Sequence, residues 1–400
     1  MTETQTSKKS GDDQGSIVVL MLALMIAIFA FQLNASMLSP ALVTMQEQLH
    51  TSASAIALTQ TIFFTAAALF ALFLPRLADL IGRKKVLLGM LILTGIGCLI
   101  SGLATNVGVL MIGRILQGAA GPIVPLCLIM LHVRVTEGKR YAKLMAILTS
   151  VNGGIAGVDA LAGGWLVSHG GFRSVFLTMA LTAALAVILV AIGTEESTAK
   201  QTPRMDWGGV VLLVIAMGAL LTAANALQGS FGNIGLPNGT LALILFIIGI
   251  VCFVGFWQVE KRVSDPMVPI HYLKQRRTWG LLLTTLLAMT GVFAIMNGII
   301  PALGQDKNFG LGLGADLVSF VTLTPYAVAG LVFGPISGVL AARFGFAKVL
   351  RAGLLATVLG FGLTIAGALK PSIWLLLLLS IFIGITYAGI TNIMLNGLGI

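Results

Sequence analysis

The stretch Pro75-Arg76-Leu77-Ala78-Asp79-Leu80-Ile81-Gly82-Arg83-Lys84-Lys85 constrains the chain more than any other. It sets one acid and four bases between two uncharged apolar runs. Each run has about 20 residues, the length that crosses the hydrocarbon core of a bilayer. Charges are expensive in lipid, so the hinge must be a water-side turn between two membrane helices. Its Arg and Lys cluster places that turn in the cytoplasm.

The same pattern recurs along the sequence. With 57% hydrophobic and 10% charged residues, the chain has too much apolar surface for a soluble interior, which excludes every class except a polytopic membrane protein. The expected architecture is all-α, with twelve spans at 17–39, 53–74, 85–104, 106–131, 141–167, 172–193, 208–228, 239–258, 278–302, 315–342, 348–369 and 372–398. Residues 1–16 are polar and expected to be disordered. The first apolar run is too long for a cleaved signal peptide and lacks a small-residue cleavage site. The net charge of +10 does not point to nucleic acid, because the bases lie in short loops, where they orient helices beside an anionic leaflet. Cys98, Cys127 and Cys252 fall inside apolar runs with no metal-like spacing and read as small buried hydrophobes.

Twelve spans with a cytoplasmic N-terminus divide the bases unequally. Of the 24 Lys and Arg, only Arg173, Lys307 and Lys370 fall outside and Arg114 lies within a span; the other 20 fall on the cytoplasmic side. That bias fixes the expected topology. The expected location is the plasma membrane of a bacterium.

Leu77, Ala78, Asp79, Gly82, Arg83, Lys84 and Lys85 match the cytoplasmic signature G-x-L-A-D-x-x-G-R-K/R-K/R, and the hinge therefore resembles that of the major facilitator superfamily; Pro75 stands where the family usually has Gly. A degenerate copy runs from Gly338 through Ala342 and Arg343 to Gly345, with Ala342 in the Asp place. The copies join spans 2–3 and spans 10–11, an offset of eight, not six. Two extra spans between two pseudo-symmetric six-helix halves account for this, and a full second half would need two more spans than the sequence contains. Asp206-Trp207-Gly208-Gly209, and Glu260 followed by Asp265-Pro266-Met267-Val268-Pro269, likewise resemble fourteen-span drug:proton antiporters. The resemblance implies a six-helix bundle at 17–193, a linker at 194–207, two extra central spans at 208–258, a cytoplasmic loop at 259–277 and the first four spans of a second bundle at 278–400. A twelve-span protein with a degenerate second half is the alternative.

No nucleotide loop, dinucleotide fingerprint or His-rich metal spacing is present, so the expectation is a non-enzyme without cofactor, driven by a proton gradient. Charges within spans are then the informative residues. Arg114-Ile115-Leu116-Gln117-Gly118 in span 4 is similar to the family's R-x-x-Q-G motif, whose arginine is linked to proton coupling. Asp159 is the only acid well inside a span, and Asp159-Ala160 stands where the antiporters have Gly-Pro, so their motif is broken. Their usual span 1 acid is missing too, and Asn34 occupies that region. Arg114 and Asp159 both lie roughly 12 Å below the outer ends of their spans, which makes Asp159 the expected counter-charge and proton carrier. A purely structural pair that never titrates is the competing reading.

Candidate solute contacts near the midplane are Gln32, Asn34, Gln60, Phe64, Gln117, Asn152, Asn297, Tyr326 and Tyr387, although helix-to-helix hydrogen bonding explains each polar one singly. Leu77, Asp79, Gly82 and Arg83, with Gly338, Arg343 and Gly345, form the expected gating hinges. Asp79 would latch one conformation by pairing with Arg83 or a base after span 4, and Ala342 makes the second latch the weaker. The expected function is alternating-access, proton-coupled export of amphipathic drugs. The alternative is proton symport of a polar solute such as a nucleoside or organic acid, favoured by the broken Gly-Pro and the polar residues of span 1. A sensor or scaffold that moves nothing is the third reading.

Overall fold

The computed structural model describes residues 3–38, 41–198, 205–227, 237–263, 275–305, 310–313 and 315–399. All the regular secondary structure among them is helical. Among the described residues, ten helices are long and apolar enough to cross a membrane, and Thr278–Ala294 is a shorter apolar helix. The chain divides into two compact units: Met1–Leu126 with Gly163–Tyr272, and Cys127–Ala162 with Leu273–Ile400.

In the first unit, α1 (Glu3–Ser36) begins within the polar leader expected to lack structure. A short α2 (Leu42–Gln48), absent from the sequence reading, leads to α3 (Ala53–Ile81) and α4 (Arg83–Gly102). The Ser52 hydroxyl caps α3 by accepting the Ala55 N–H at 3.2 Å. Asn106 caps α5 (Val107–Gln117) in the same way through Val109, at 3.0 Å. A 3-10 turn at Gly118–Ala120 and Pro122 then separate α5 from α6 (Ile123–Arg134), whose later residues belong to the second unit. Helix α7 (Gly138–Gly193) turns at Gly171, where φ is 69°, so the expected spans 5 and 6 are its two arms. Helices α8 (Trp207–Leu227) and α9 (Asn238–Glu260) pack on each other as the expected hairpin. Asp206 caps α8 through the Gly209 N–H at 2.9 Å.

Small residues let these helices meet without a hydrophobic driving force. A Cβ on Gly97 would lie 2.7 Å from the Gly113 carbonyl oxygen, and one on Gly113 2.7 Å from that of Gly97, so α4 and α5 touch backbone to backbone. Gly118 and Gly121 likewise bring the break in span 4 against Ala66 and Ala67 of α3. One end of this unit closes over an apolar cluster that includes Leu38, Met45, Ile56, Leu110, Phe172 and Phe176.

The second unit contains α7 as far as Ala162, α10 (Arg276–Ala294), α11 (Ile300–Gln305), α12 (Ala315–Phe344), α13 (Phe346–Gly367), α14 (Ile373–Ile383) and α15 (Asn392–Gly399). Two π-helical stretches interrupt it, Ile295–Ile299 and Gly384–Thr391. Gly330, Gly384 and Gly389 bring α12 and the second π segment together. Gly334 and Gly338 face Ser150 and Ala146 on the first arm of α7.

The internal repeat is visible in the backbone. Helix α3 passes to α4 through Gly82 at φ 118°, and α12 passes to α13 through Gly345 at φ 88°. Both glycines occupy a region that L side chains rarely adopt, which is why the motif ends each helix in glycine.

Candidate functional site

Arg114 is fully buried inside the first unit. Its Nη1 donates to Gln117 Oε1 at 2.5 Å and to the Asn34 carbonyl at 3.3 Å. Its Nη2 donates to Gln60 Oε1 and, at 3.3 Å, to the same Asn34 carbonyl. Nε reaches the Thr59 carbonyl at 3.5 Å, and the Phe63 ring lies 4.2 Å from the guanidinium carbon. Every acceptor is neutral. Among the described residues, the guanidinium therefore has no carboxylate partner within its own unit.

The geometry explains how such a charge is tolerated. Asn34 lies in the last turn of α1, where carbonyls have no intrahelical donor and the helix dipole is negative. The carbonyl end of α1 thus supplies part of the stabilisation that a span 1 acid would give. Phe63 adds a cation–π contact of about 0.5–2 kcal/mol. Charge-assisted bonds to two amides supply the rest.

A second layer orients those amides. Gln117 Nε2 donates to Ser101 Oγ at 2.9 Å; Asn34 Oδ1 accepts from Cys98 Sγ at 3.3 Å, and its Nδ2 donates to the Ala30 carbonyl at 2.8 Å. Asn34 and Gln117 are both fully buried and each amide is engaged at its oxygen and at its nitrogen. Gln60 differs. Because Arg114 occupies its Oε1, the amide cannot be flipped, and the NH2 must point away from the arginine. No protein acceptor meets that NH2 among the described residues. One helical turn on, Phe64 is 49% exposed, edge to face with Phe63 at 5.0 Å.

Gln32 stands apart, donating to Ser36 Oγ at 3.0 Å. Asp159, expected to be the counter-charge of Arg114, is buried and belongs to the second unit. Tyr326 lies on α12 and Tyr387 within the Gly384–Thr391 π segment. Asn297 falls in the other π segment; its side chain and that of Asn152 lie outside the described residues, as does 265–269. The sequence reading missed Cys98 as a donor, Ser101, Thr59, Glu196 and both π segments. No local signal marks Ser101 as a partner of Gln117. The two come together only because Gly97 and Gly113 let α4 and α5 touch.

At the first hinge, Asp79 accepts Arg83 Nη2 at 2.7 Å and Nε at 2.9 Å, the expected ion pair. An unexpected partner completes it. Glu196 Oε1 accepts the Lys84 N–H at 3.1 Å at the start of α4, while Lys84 Nζ donates to the Ala191 and Thr194 carbonyls at 2.7 Å at the end of α7. Acid on a helix N-terminus and base on a helix C-terminus each oppose a dipole. The copy is barer: Leu77 has its counterpart in Leu340, but Ala342 offers no carboxylate, Arg343 sits over the Phe344 ring at 5.3 Å, and Gly345 has nothing near the place of its missing side chain.

A helical membrane protein with a buried cation in one unit and a hinge that recurs in the other has the internal repetition found in membrane transporters. The chain belongs to the Major Facilitator Superfamily, whose family profile matches residues 24–399. It is 81% identical over all 400 residues to the uridine/deoxyuridine transporter of Lactococcus lactis and spans 83% of that protein's length. The multidrug resistance protein Stp of Mycobacterium tuberculosis is 26% identical over 86% of this chain and 62% of its own. Among solved structures, the proton:xylose symporter XylE superposes with a TM-score of 0.60 at 15% identity, covering 96% of this chain and 82% of its own. The human organic anion transporter MFSD10 gives 0.57 at 12%, covering 97% and 90%. These two likenesses concern the fold. The expectation of drug export is corrected by the L. lactis relative: the drug-resistance resemblance is distant, whereas the 81% identity is to a nucleoside transporter. The sequence signal that misled was the hinge and extra spans, which describe the fold and carry no substrate information.

Proposed function

We propose that this protein is a pyrimidine nucleoside transporter that takes up uridine and deoxyuridine by alternating access. The observation that carries this reading is the 81% identity over the entire chain to the L. lactis uridine/deoxyuridine transporter. The geometry at Gln60 supports it. Uracil presents two carbonyl acceptors, and Gln60 offers an amide NH2 whose direction Arg114 fixes. Phe64, one turn away, supplies an aromatic face for the base. In cytosine the 4-carbonyl is replaced by an amino donor, which would meet the Gln60 NH2 donor to donor. Discrimination of this kind works by leaving polar groups unpaired for the wrong ligand.

Coupling to protons belongs to the same proposal. Asp159 is the proton carrier, and Arg114 holds the neutral network in one arrangement. The N-terminus is cytoplasmic, so that the 20 bases lie on the inner face. The test is uptake of labelled uridine by proteoliposomes containing the purified protein, with and without an inwardly directed proton gradient. Gradient-stimulated uridine accumulation, competed by deoxyuridine and poorly by cytidine, is the expected result. Absence of uridine movement under both conditions would overturn the reading.

A further inference from the structure

We propose that a cleft between α10 and α13 in the second unit is a binding site for an anionic phospholipid. The cleft encloses about 200 Å³ and is lined by Gly280, Leu281 and Thr284 of α10 and Leu350, Arg351 and Leu354 of α13. Thr284 turns its hydroxyl back to the Gly280 carbonyl at 2.6 Å, so its proton is held within its own helix. The slot is mostly apolar along its length, and Arg351 lines it toward the end where both helices begin.

That end has more positive charge than Arg351 alone. Arg276 sits one helical turn before Gly280, on the same stripe of α10. Arg276 and Arg351 are both exposed, and neither has a hydrogen-bond or ion-pair partner among the described residues. They lie within the first two turns of their helices, both of which begin here, so two positive dipole ends add to the two guanidinium groups. A phosphodiester fits this chemistry, since arginine binds its oxygens through paired donors.

The surroundings commit the occupant to a lipid. The slot is flanked by Leu282, Leu283 and Leu355, which are 49, 53 and 73% exposed. In a membrane protein, an apolar surface of that kind faces hydrocarbon. Trp279, 58% exposed, stands beside Gly280 at the level where interfacial tryptophans meet headgroups. An acyl chain in the slot would thus place its phosphate between the two arginines, as in other basic clefts between membrane helices. The cleft belongs to the second unit and Gln60 and Arg114 to the first, and the proposal does not depend on which solute is carried.

The test uses fluorescence of the full chain in phosphatidylcholine liposomes, in a variant whose one tryptophan is Trp279 (Trp165, Trp207, Trp257 and Trp374 replaced by Phe). Phosphatidylglycerol or phosphatidylcholine with brominated acyl chains is titrated in as quencher. Half-maximal quenching should need about 25-fold less brominated phosphatidylglycerol than brominated phosphatidylcholine, from a preference of roughly fivefold for each arginine. The preference should vanish in Arg276→Gln/Arg351→Gln, whose exposed sites leave folding undisturbed, and shrink in Leu354→Phe, which fills the slot and keeps both charges. Equal quenching by the two lipids would overturn the proposal. So would a preference that survives loss of both arginines. Displacement of phosphatidylglycerol by inorganic phosphate at equal concentration would reassign the cleft to a soluble anion and refute the lipid.

Discussion

Replacing Gln60 by glutamate separates recognition by a fixed donor from mere polarity at this position. In the native structure Arg114 holds Gln60 Oε1, leaving the NH2 to serve the base. The carboxylate of Gln60→Glu would keep one oxygen on Arg114, now as an ion pair with the buried guanidinium, so the fold should survive. The other oxygen would replace a donor by an acceptor. Against a uracil carbonyl, one hydrogen bond is lost and two acceptors face each other, a penalty of about 1–3 kcal/mol. That corresponds to a rise of about 5- to 150-fold in the concentration of uridine needed for half-maximal uptake. Cytidine, whose 4-amino group donates, should improve relative to uridine. The assay is inhibition of labelled uridine uptake by unlabelled uridine and cytidine in proteoliposomes, with thermal unfolding as the folding control. A folded Gln60→Glu protein with an unaltered uridine to cytidine ratio would refute the role given to Gln60.

Arg114→Lys replaces a five-donor fork by a point charge that cannot hold both Gln60 and Gln117; loss of one charged hydrogen bond should cut uridine uptake by about tenfold or more at equal amounts of protein. Asp159→Asn should abolish accumulation driven by a pH gradient while leaving uridine–uridine exchange intact, and a mutant that still accumulates uridine with the gradient would show that Asp159 carries no proton. Gly82→Ala and Gly345→Ala should each cost about 1–3 kcal/mol for the positive φ, and thermal unfolding should rank Gly82→Ala as the worse, because only there would the new methyl, 2.6 Å from the Glu196 carboxyl, push it away.

Apolar run lengths, the Lys and Arg bias and the repeated hinge were legible in the sequence because each depends on local periodicity and on the exclusion of charge from lipid. The hinge glycines are a clear instance: a motif position implied a turn, and the backbone has φ 118° at Gly82 and 88° at Gly345. Asp79 and Arg83 could be paired from their i, i+4 spacing alone. Glu196 could not, since it is 112 residues from Lys84 and nothing in its local sequence distinguishes it from a solvated acid.

The sequence by itself determined that this protein is a multi-pass helical membrane protein, that Gly82 and Gly345 end helices, and that Arg114 is a buried charge in need of partners. Only the tertiary structure decided who those partners are. From the sequence, depth was the only coordinate available for placing a partner beside Arg114. In the folded first unit, contact between glycines of α4 and α5 brings Ser101 to Gln117, and the carbonyl end of α1 meets the guanidinium through Asn34. Backbone carbonyls carry no residue-type signature, so a charge stabilised by a helix end and two amides is invisible until the helices are packed.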